Sequence, residues 1–218
     1  MKRFLLILCA VCLSASLSAQ VPYFSGTVGK NKLYGYTSLK FRPGINLQQT
    51  YTTFQYGIGE QTAVGLDLTT GGDQAFEGIL FRYGTRISPS FGIGAQITPT
   101  FALGDKMSFS YMTNALYMNG NLDGDGRWFW CSNTFYTVVD DGDNTLDEWM
   151  YLGRNLTAFG NNLTLMAGAL YSDGNGETYT DLGAGCYYTL GNYNIYLWGN
   201  DLLTKSHPRF VIGIEFVF

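Results

Sequence analysis

The last ten residues of the chain alternate between two kinds of side chain. One face carries only aromatic and aliphatic residues, namely Phe210, Ile212, Ile214, Phe216 and Phe218. The other face is mixed and includes Arg209, Gly213 and Glu215. A period of two is typical of a β-strand with one apolar face, because successive side chains of a strand point to opposite sides. The chain therefore ends in a predicted strand.

Similar runs recur along the chain, separated by turn signals such as Gly191-Asn192 and Asp173-Gly174. Short turns of this kind link antiparallel neighbours. The run 147–158 is irregular because Arg154 interrupts its apolar face, and we expect a bulge to shift the phase there and in 127–138. The predicted strands before the last one are 33–42, 47–58, 62–70, 76–87, 91–101, 107–118, 127–138, 147–158, 162–171, 180–190 and 193–203.

The composition limits how these strands can be arranged. Charged residues make up 14% of the chain and aromatic residues 16%, whereas about 25% charged residues is usual in soluble domains. No apolar stretch after residue 20 reaches the ~20 residues that a membrane-spanning helix requires. Side chains that alternate between lipid and lumen give this combination. The sequence therefore predicts an all-β fold, a transmembrane antiparallel up-and-down β-barrel of about twelve strands.

The first residues have the pattern of a secretory signal. Lys2 and Arg3 precede an apolar run, and small residues follow as far as Ala19. We therefore expect residues 1–19 to be a signal peptide and residues 20–218 to form the barrel. The net charge of −4 argues against a nucleic-acid partner, which would require a basic patch. No Cys or His spacing suggests a metal or other cofactor.

A final strand that ends on Phe218, with an apolar residue at every second position before it, resembles the terminal β-signal of Gram-negative outer-membrane proteins. With the signal peptide and the repeated alternation, the mature chain resembles small porin-like channels of that membrane. The resemblance implies a bacterial outer-membrane location, contact with its lipid and lipopolysaccharide, and recognition of the last strand by the barrel assembly machinery. An even number of strands would place both termini on the periplasmic side.

The polar face of the predicted strands indicates what the lumen contains. Its predicted side chains are Lys40, Arg42, Asp67, Arg82, Arg86, Gln96, Asn114, Asp181, Tyr196, Trp198, Arg209 and Glu215. Charges inside a protein wall must be paired or hydrated. One hypothesis is a water-filled passage for small polar or anionic solutes, with Tyr196 and Trp198 as a stacking surface. The other is a non-conducting structural barrel whose internal charges pair with one another.

Aromatic residues near strand ends suit the boundary between lipid headgroups and hydrocarbon. On this basis we expect six rings to face the membrane: Trp128, Trp130, Trp149, Tyr187, Tyr188 and Tyr193. The segment Gly26 to Asn31 is interpreted as flexible chain that leads into the first strand.

Two other patterns allow alternative chemistry. The acidic residues Asp140, Asp141, Asp143, Asp147 and Glu148 offer oxygens for Ca²⁺ but lack the full spacing of an EF-hand, so a merely solvated loop is the expected interpretation. His207 is the one histidine of the chain and would be the base of a lipid-modifying enzyme. No Gly-x-Ser-x-Gly motif accompanies it. We therefore expect a surface histidine and no enzyme.

Overall fold

A computed structural model describes residues 26–43, 46–174, 176–204 and 208–218, with only the backbone of Asn46. The described residues form twelve strands, as the alternation predicts. They are β1 (Leu33–Arg42), β2 (Asn46–Gly57), β3 (Thr62–Gly71), β4 (Gln74–Ser88), β5 (Phe91–Leu103), β6 (Ser108–Asn121), β7 (Trp128–Val139), β8 (Thr145–Ala158), β9 (Asn161–Gly174), β10 (Glu177–Leu190), β11 (Tyr193–Asn200) and β12 (Arg209–Val217). His207 and the predicted signal peptide lie outside the described residues.

The strands close into one antiparallel barrel. Each strand pairs with its neighbours in sequence, and β1 also pairs with β12 through positions such as Tyr36 with Glu215 and Lys40 with Val211. Closure gives every strand two partners and leaves no exposed sheet edge. The predicted all-β, antiparallel up-and-down barrel is confirmed.

The outer surface of the barrel is apolar. On β12, Ile212 is 45% exposed, whereas the lumen-facing Glu215 of the same strand is fully buried. Large apolar side chains are exposed in the same way on other strands, among them Leu39, Phe54, Leu66, Phe81, Ile97 and Leu152. Such a belt is what contact with lipid requires. Within the described ranges no helix is long and apolar enough to span a membrane.

The prediction of a bulge near Arg154 is wrong. Strands β7 and β8 pair without interruption from Trp128 and Arg154 to Thr137 and Thr145. Arg154 keeps the phase of the outward face, and its guanidinium carbon lies 4.9 Å from the centroid of the Trp128 ring. This contact accommodates a cation on that face. Register shifts occur elsewhere, between Lys40 and Phe41, Arg86 and Ser88, and Thr100 and Phe101.

The barrel has two distinct ends. We call the end where β1 begins and β12 finishes the terminus end, and the opposite end the loop end. The longest link at the loop end joins β11 to β12, whereas β9 and β10 are separated only by residues 175 and 176. The predicted strands 162–171 and 180–190 left a longer link between them, because the pairing of Gly174 with Glu177 is not visible in an alternation pattern.

Two of the six rings expected at the membrane boundary point into the barrel instead. Tyr187 is buried in the interior cluster and Trp149 packs against that cluster. Trp128, Trp130, Tyr188 and Tyr193 share the phase of the outward face of their strands, as predicted. An aromatic ring near a strand end suits either face, so its strand phase, and not its residue type, decides its direction.

The segment before β1 is hydrogen-bonded to the terminus end, in contrast to the flexible lead-in predicted from sequence. Thr27 Oγ1 donates to the carbonyl of Glu60 at 2.9 Å, and the amide of Asn31 donates to the carbonyl of Gly57 at 2.8 Å. Asn31 has a positive φ of 61°, which asparagine tolerates better than most residues. The segment therefore lies across part of the rim.

Candidate solute passage in the barrel lumen

One side of the lumen is filled by packed side chains from β7 to β11. The cluster consists of Phe129, Cys131, Tyr151, Met166, Leu170, Tyr187, Tyr196 and Trp198. The ring of Tyr151 meets Trp198 edge to face with centroids 4.9 Å apart, and Tyr187 stacks on Tyr196 at 5.2 Å. Trp198 also donates from Nε1 to Asn200 Oδ1 at 2.7 Å. This side of the barrel is therefore a core and not a passage.

Glycines on neighbouring strands make room for these rings. Trp198 pairs directly with Gly185, and Tyr196 pairs with Gly213. A Cβ atom at either glycine would overlap the ring of its partner. Each ring thus lies flat against the backbone of the next strand, which is possible only where no side chain stands there. The glycines fix the direction in which the cluster packs.

The other side of the lumen holds a cavity of about 350 Å³. At ~30 Å³ per molecule in the liquid, this volume corresponds to roughly ten waters. Its walls come mainly from β1 to β6. The residues that border it include Tyr36, Ser38, Lys40, Gln49, Tyr51, Asp67, Thr69, Arg82, Gln96, Thr98, Thr100, Tyr111, Thr113, Tyr117, Phe135, Trp149, Tyr196, Trp198 and Arg209. We call this space the central cavity.

Cations lie where the central cavity opens toward the loop end. Lys40 and Arg209 border both the central cavity and a second, more open cavity that Arg42 also borders. Lys40 Nζ donates to Gln49 Oε1 at 2.8 Å, and Arg209 forms an ion pair with Asp201. Three cations thus surround the mouth, with one carboxylate directly paired to Arg209.

An aromatic wall lies opposite the cations. In a closed barrel of twelve strands, strands six apart face each other across the axis. Lys40 on β1 therefore faces Phe135 on β7, and both residues border the central cavity. Phe135 packs against Trp149 with centroids 5.0 Å apart. The arrangement offers positive charge on one side of a solute and flat apolar surface on the other.

Threonines complete the wall between these two surfaces. Thr69, Thr98, Thr100 and Thr113 border the central cavity, where their hydroxyls donate or accept hydrogen bonds. Asp67 is buried beside them, with Thr53 as donor to its carboxylate. The predicted lumen residues are mostly charged and do not include these threonines, Tyr117, Phe135 or Trp149. The signal that identifies them is the register of the strands. Counting alternate positions from Lys40 or Arg82 across the paired strands shows which residues share the lumen face.

A third cavity lies at the terminus end, and we call it the recess. Arg86 borders it together with Glu60, Gln61, Asn119 and Asn155. Arg86 Nη1 donates to the carbonyl of Pro89 at 2.8 Å, so the cation is fixed beside the β4–β5 turn. The predicted lumen residues Lys40, Arg42, Asp67, Arg82, Arg86, Gln96, Tyr196, Trp198 and Arg209 all border one of the three cavities.

Two predicted lumen charges are buried within the wall and border none of these cavities. Asp181 accepts hydrogen bonds from the backbone amides of Leu182, Leu203 and Thr204. Glu215 accepts a hydrogen bond from Asn194 Nδ2 at 3.1 Å, while its Oε1 has no hydrogen-bond partner. Both have the inward phase that the sequence predicts, but their neighbours cover them.

The placement of Asn114 in the lumen is wrong. Asn114 is one residue from the buried, inward-facing Ala115 and in phase with the exposed Leu116 on the outer face. Its Nδ2 donates to the carbonyl of Tyr136 on the next strand at 3.4 Å. One polar residue in a strand of mixed side chains does not reveal which face it occupies unless the register of the whole strand is known.

The acidic stretch does not converge on one point. Asp147 and Glu148 are consecutive strand residues, so their side chains point to opposite faces. Asp147 accepts from Ser172 at 2.6 Å, and Glu148 accepts from Ser132 at 2.6 Å. Among the described residues, no group of three or more His, Cys, Asp or Glu side chains is placed to hold a metal ion.

Comparison with known proteins adds evidence about the fold. No protein-family model matches the chain, and no curated protein matches it. The KdgM porin is similar in structure, with a TM-score of 0.64 and 10% identity over 85% of this chain and 99% of that chain. The same porin in complex with disordered oligogalacturonate matches with a TM-score of 0.63 and 11% identity, over 85% and 99%.

A second protein has a related structure. The COG4313 outer membrane channel from Pseudomonas putida F1 matches with a TM-score of 0.52 and 10% identity, over 91% of this chain and all of that chain. At these identities the likeness concerns architecture, and it agrees with the twelve closed strands and the apolar outer belt described above. The chain therefore has the fold of small outer-membrane porins and channels.

Proposed function

We propose that this protein is a bacterial outer-membrane channel for the passive passage of small polar or anionic solutes. The observation that carries the proposal is the central cavity, in which Lys40 and Arg209 face the aromatic wall of Phe135 and Trp149 across a lining of threonine hydroxyls. Selectivity in such pores follows from the width and the charged groups of the lumen. Positive groups at the mouth favour anions over cations.

Acidic sugars are the solute class that this lining suits best. A sugar carboxylate would pair with Arg209 or Lys40, the ring would stack on Trp149, and the hydroxyls would bond to the threonines. The structural neighbour solved with oligogalacturonate supports this choice. The same proposal places both termini in the periplasm, the outer belt in contact with lipid and lipopolysaccharide, and the strand ending at Phe218 in contact with the barrel assembly machinery.

The test is the reversal potential of single channels in a planar bilayer under a KCl gradient. The refolded barrel, produced from Gln20, is expected to show discrete conductance with a preference for chloride. The double variant Lys40→Gln, Arg209→Gln should reduce that preference because both cations border the passage. Arg127→Gln is the matched control, since Arg127 is an exposed cation in the β6–β7 link, paired with Asp125.

A structural barrel that does not conduct is the second candidate. The observation that favours it is the packed cluster, which fills the lumen from β7 to β11. A folded wild-type barrel that stays silent in the bilayer, together with silent variants, would support this candidate and contradict the channel. If the double variant conducts with unchanged ion preference, the role of Lys40 and Arg209 is contradicted but the channel function is not.

A further inference from the structure

The central cavity and the recess meet at one layer of side chains. Arg82 and Tyr117 border the central cavity. The next lumen-facing residues of the same strands, Gly84 and Asn119, border the recess. The two cavities have no lining residue in common. Arg82 and Tyr117 therefore lie where a solute would leave the central cavity for the recess.

Arg82 lies over an aromatic ring in this layer. Its guanidinium carbon is 4.2 Å from the centroid of the Tyr117 ring, within the range of a cation–π interaction. Arg82 Nη1 donates to Gln96 Oε1 at 3.4 Å, and the Tyr117 hydroxyl donates to the same oxygen at 3.4 Å. Both distances exceed the usual lengths of such hydrogen bonds. These contacts orient the guanidinium beside the cavity.

The burial of Arg82 strengthens the interaction of its charge with a passing ion. Arg82 is 8% exposed, and the buried carboxylate of Asp67 borders the same cavity. Charges shielded from bulk water interact more strongly with ions than exposed charges do. On the opposite side, Tyr196 of the packed cluster also borders the central cavity. The layer thus holds a shielded cation among aromatic and polar side chains.

We propose that Arg82, held over Tyr117, is the constriction of the passage and its main determinant of anion selectivity. This inference rests on the proposed channel function and adds the position of the narrowest point. During passage, an anion replaces Gln96 as the hydrogen-bond partner of the guanidinium while the side chain swings from the Tyr117 ring. A carboxylate fits this exchange because guanidinium binds it through two parallel hydrogen bonds.

The experiment compares unit conductance and reversal potential of refolded wild-type and variant barrels in planar bilayers with KCl. Arg82→Ala should raise unit conductance about twofold or more and lower the preference for chloride, since it widens the layer and removes its charge. Arg82→Lys should retain the chloride preference. Arg154→Ala is the matched control, because Arg154 also lies over an aromatic ring, that of Trp128, but on the outer face.

The possible outcomes distinguish a failure of the proposed constriction from a failure of the proposed channel function. Conduction in wild type with the same conductance and ion preference in folded Arg82→Ala would overturn the constriction and leave the channel function intact. Silence in wild type with conduction in Arg82→Ala would support a closing role for Arg82. Silence in every folded variant would overturn both. If Arg82→Ala fails to fold, Arg82→Gln tests the loss of charge with less change in volume.

Discussion

The carboxylate of Asp181 on β10 accepts a hydrogen bond from the backbone amide of Leu203 at 2.8 Å, 22 residues along the chain. The amide and the hydroxyl of Thr204 donate to its other oxygen. Three donors beyond its own strand thus connect one carboxylate to the link between β11 and β12. This side chain positions the described start of the longest link at the loop end.

Replacing Asp181 by Asn should release that link. The amide retains one acceptor oxygen but loses the charge that strengthens the three bonds. We expect the amide hydrogens of Leu203 and Thr204 to exchange about tenfold faster, measured by hydrogen exchange of the refolded barrel. Asp173→Asn is the control, because Asp173 accepts a hydrogen bond from the Thr178 hydroxyl, between β9 and β10, and not from the β11–β12 link. Equal exchange in wild type and Asp181→Asn would contradict the role of the carboxylate.

Replacing Gly185 by Ala should destabilise the packed side of the lumen. A methyl group at this position overlaps the Trp198 ring, so the ring must leave the wall and disturb its contact with Tyr151. Overpacking of this kind typically costs about 1–3 kcal/mol. The expected result is a lower transition temperature in the electrophoretic mobility shift of the folded barrel.

The control for that substitution is Gly104→Ala. Gly104 lies in the β5–β6 link, where an added Cβ would meet only the Lys106 carbonyl, at 4.0 Å. Its transition temperature should match wild type. A Gly185→Ala barrel as stable as this control would show that the Trp198 ring does not depend on the glycine beneath it.

The two cysteines among the described residues should differ in reactivity. Cys131 is 1% exposed inside the packed cluster, whereas Cys186 lies on the outward face of β10 in phase with the exposed Leu182. N-ethylmaleimide, an uncharged thiol reagent, should therefore modify the detergent-solubilised Cys131→Ala variant faster than the Cys186→Ala variant, as followed by mass spectrometry. Equal rates in both folded variants would mean that the assigned strand phase is incorrect.

Much of this fold can be predicted from sequence because it follows a local rule. Lipid on one side and lumen on the other impose a period of two, and that period is visible without knowledge of the partners of a strand. The predicted strand 33–42 matches β1 in full, and the boundaries of most others differ by one to three residues. The link after Gly174 was predicted too long because strand ends are set by pairing.

The candidate site was harder to predict because it depends on register. Asp181 and Glu215 have the predicted phase, but whether a lumen charge meets solvent depends on side chains from other strands. Trp149 was assigned to the membrane because its residue type suits that boundary, and its position opposite β2 becomes apparent only in the closed barrel. The Arg82–Tyr117 contact joins β4 and β6, which are not neighbours in the sheet.

The rings that lie on Gly185 and Gly213 also bear on how a barrel of this kind can diversify. The number of strands sets the outer circumference, but the bore is set by how many side chains lie flat against the inner wall. Exchanging a ring for a small residue, or a glycine for a larger one, would widen or narrow the lumen without altering a single backbone pairing. A barrel of constant circumference can thereby acquire passages of different calibre, each displaced toward one wall and away from the axis.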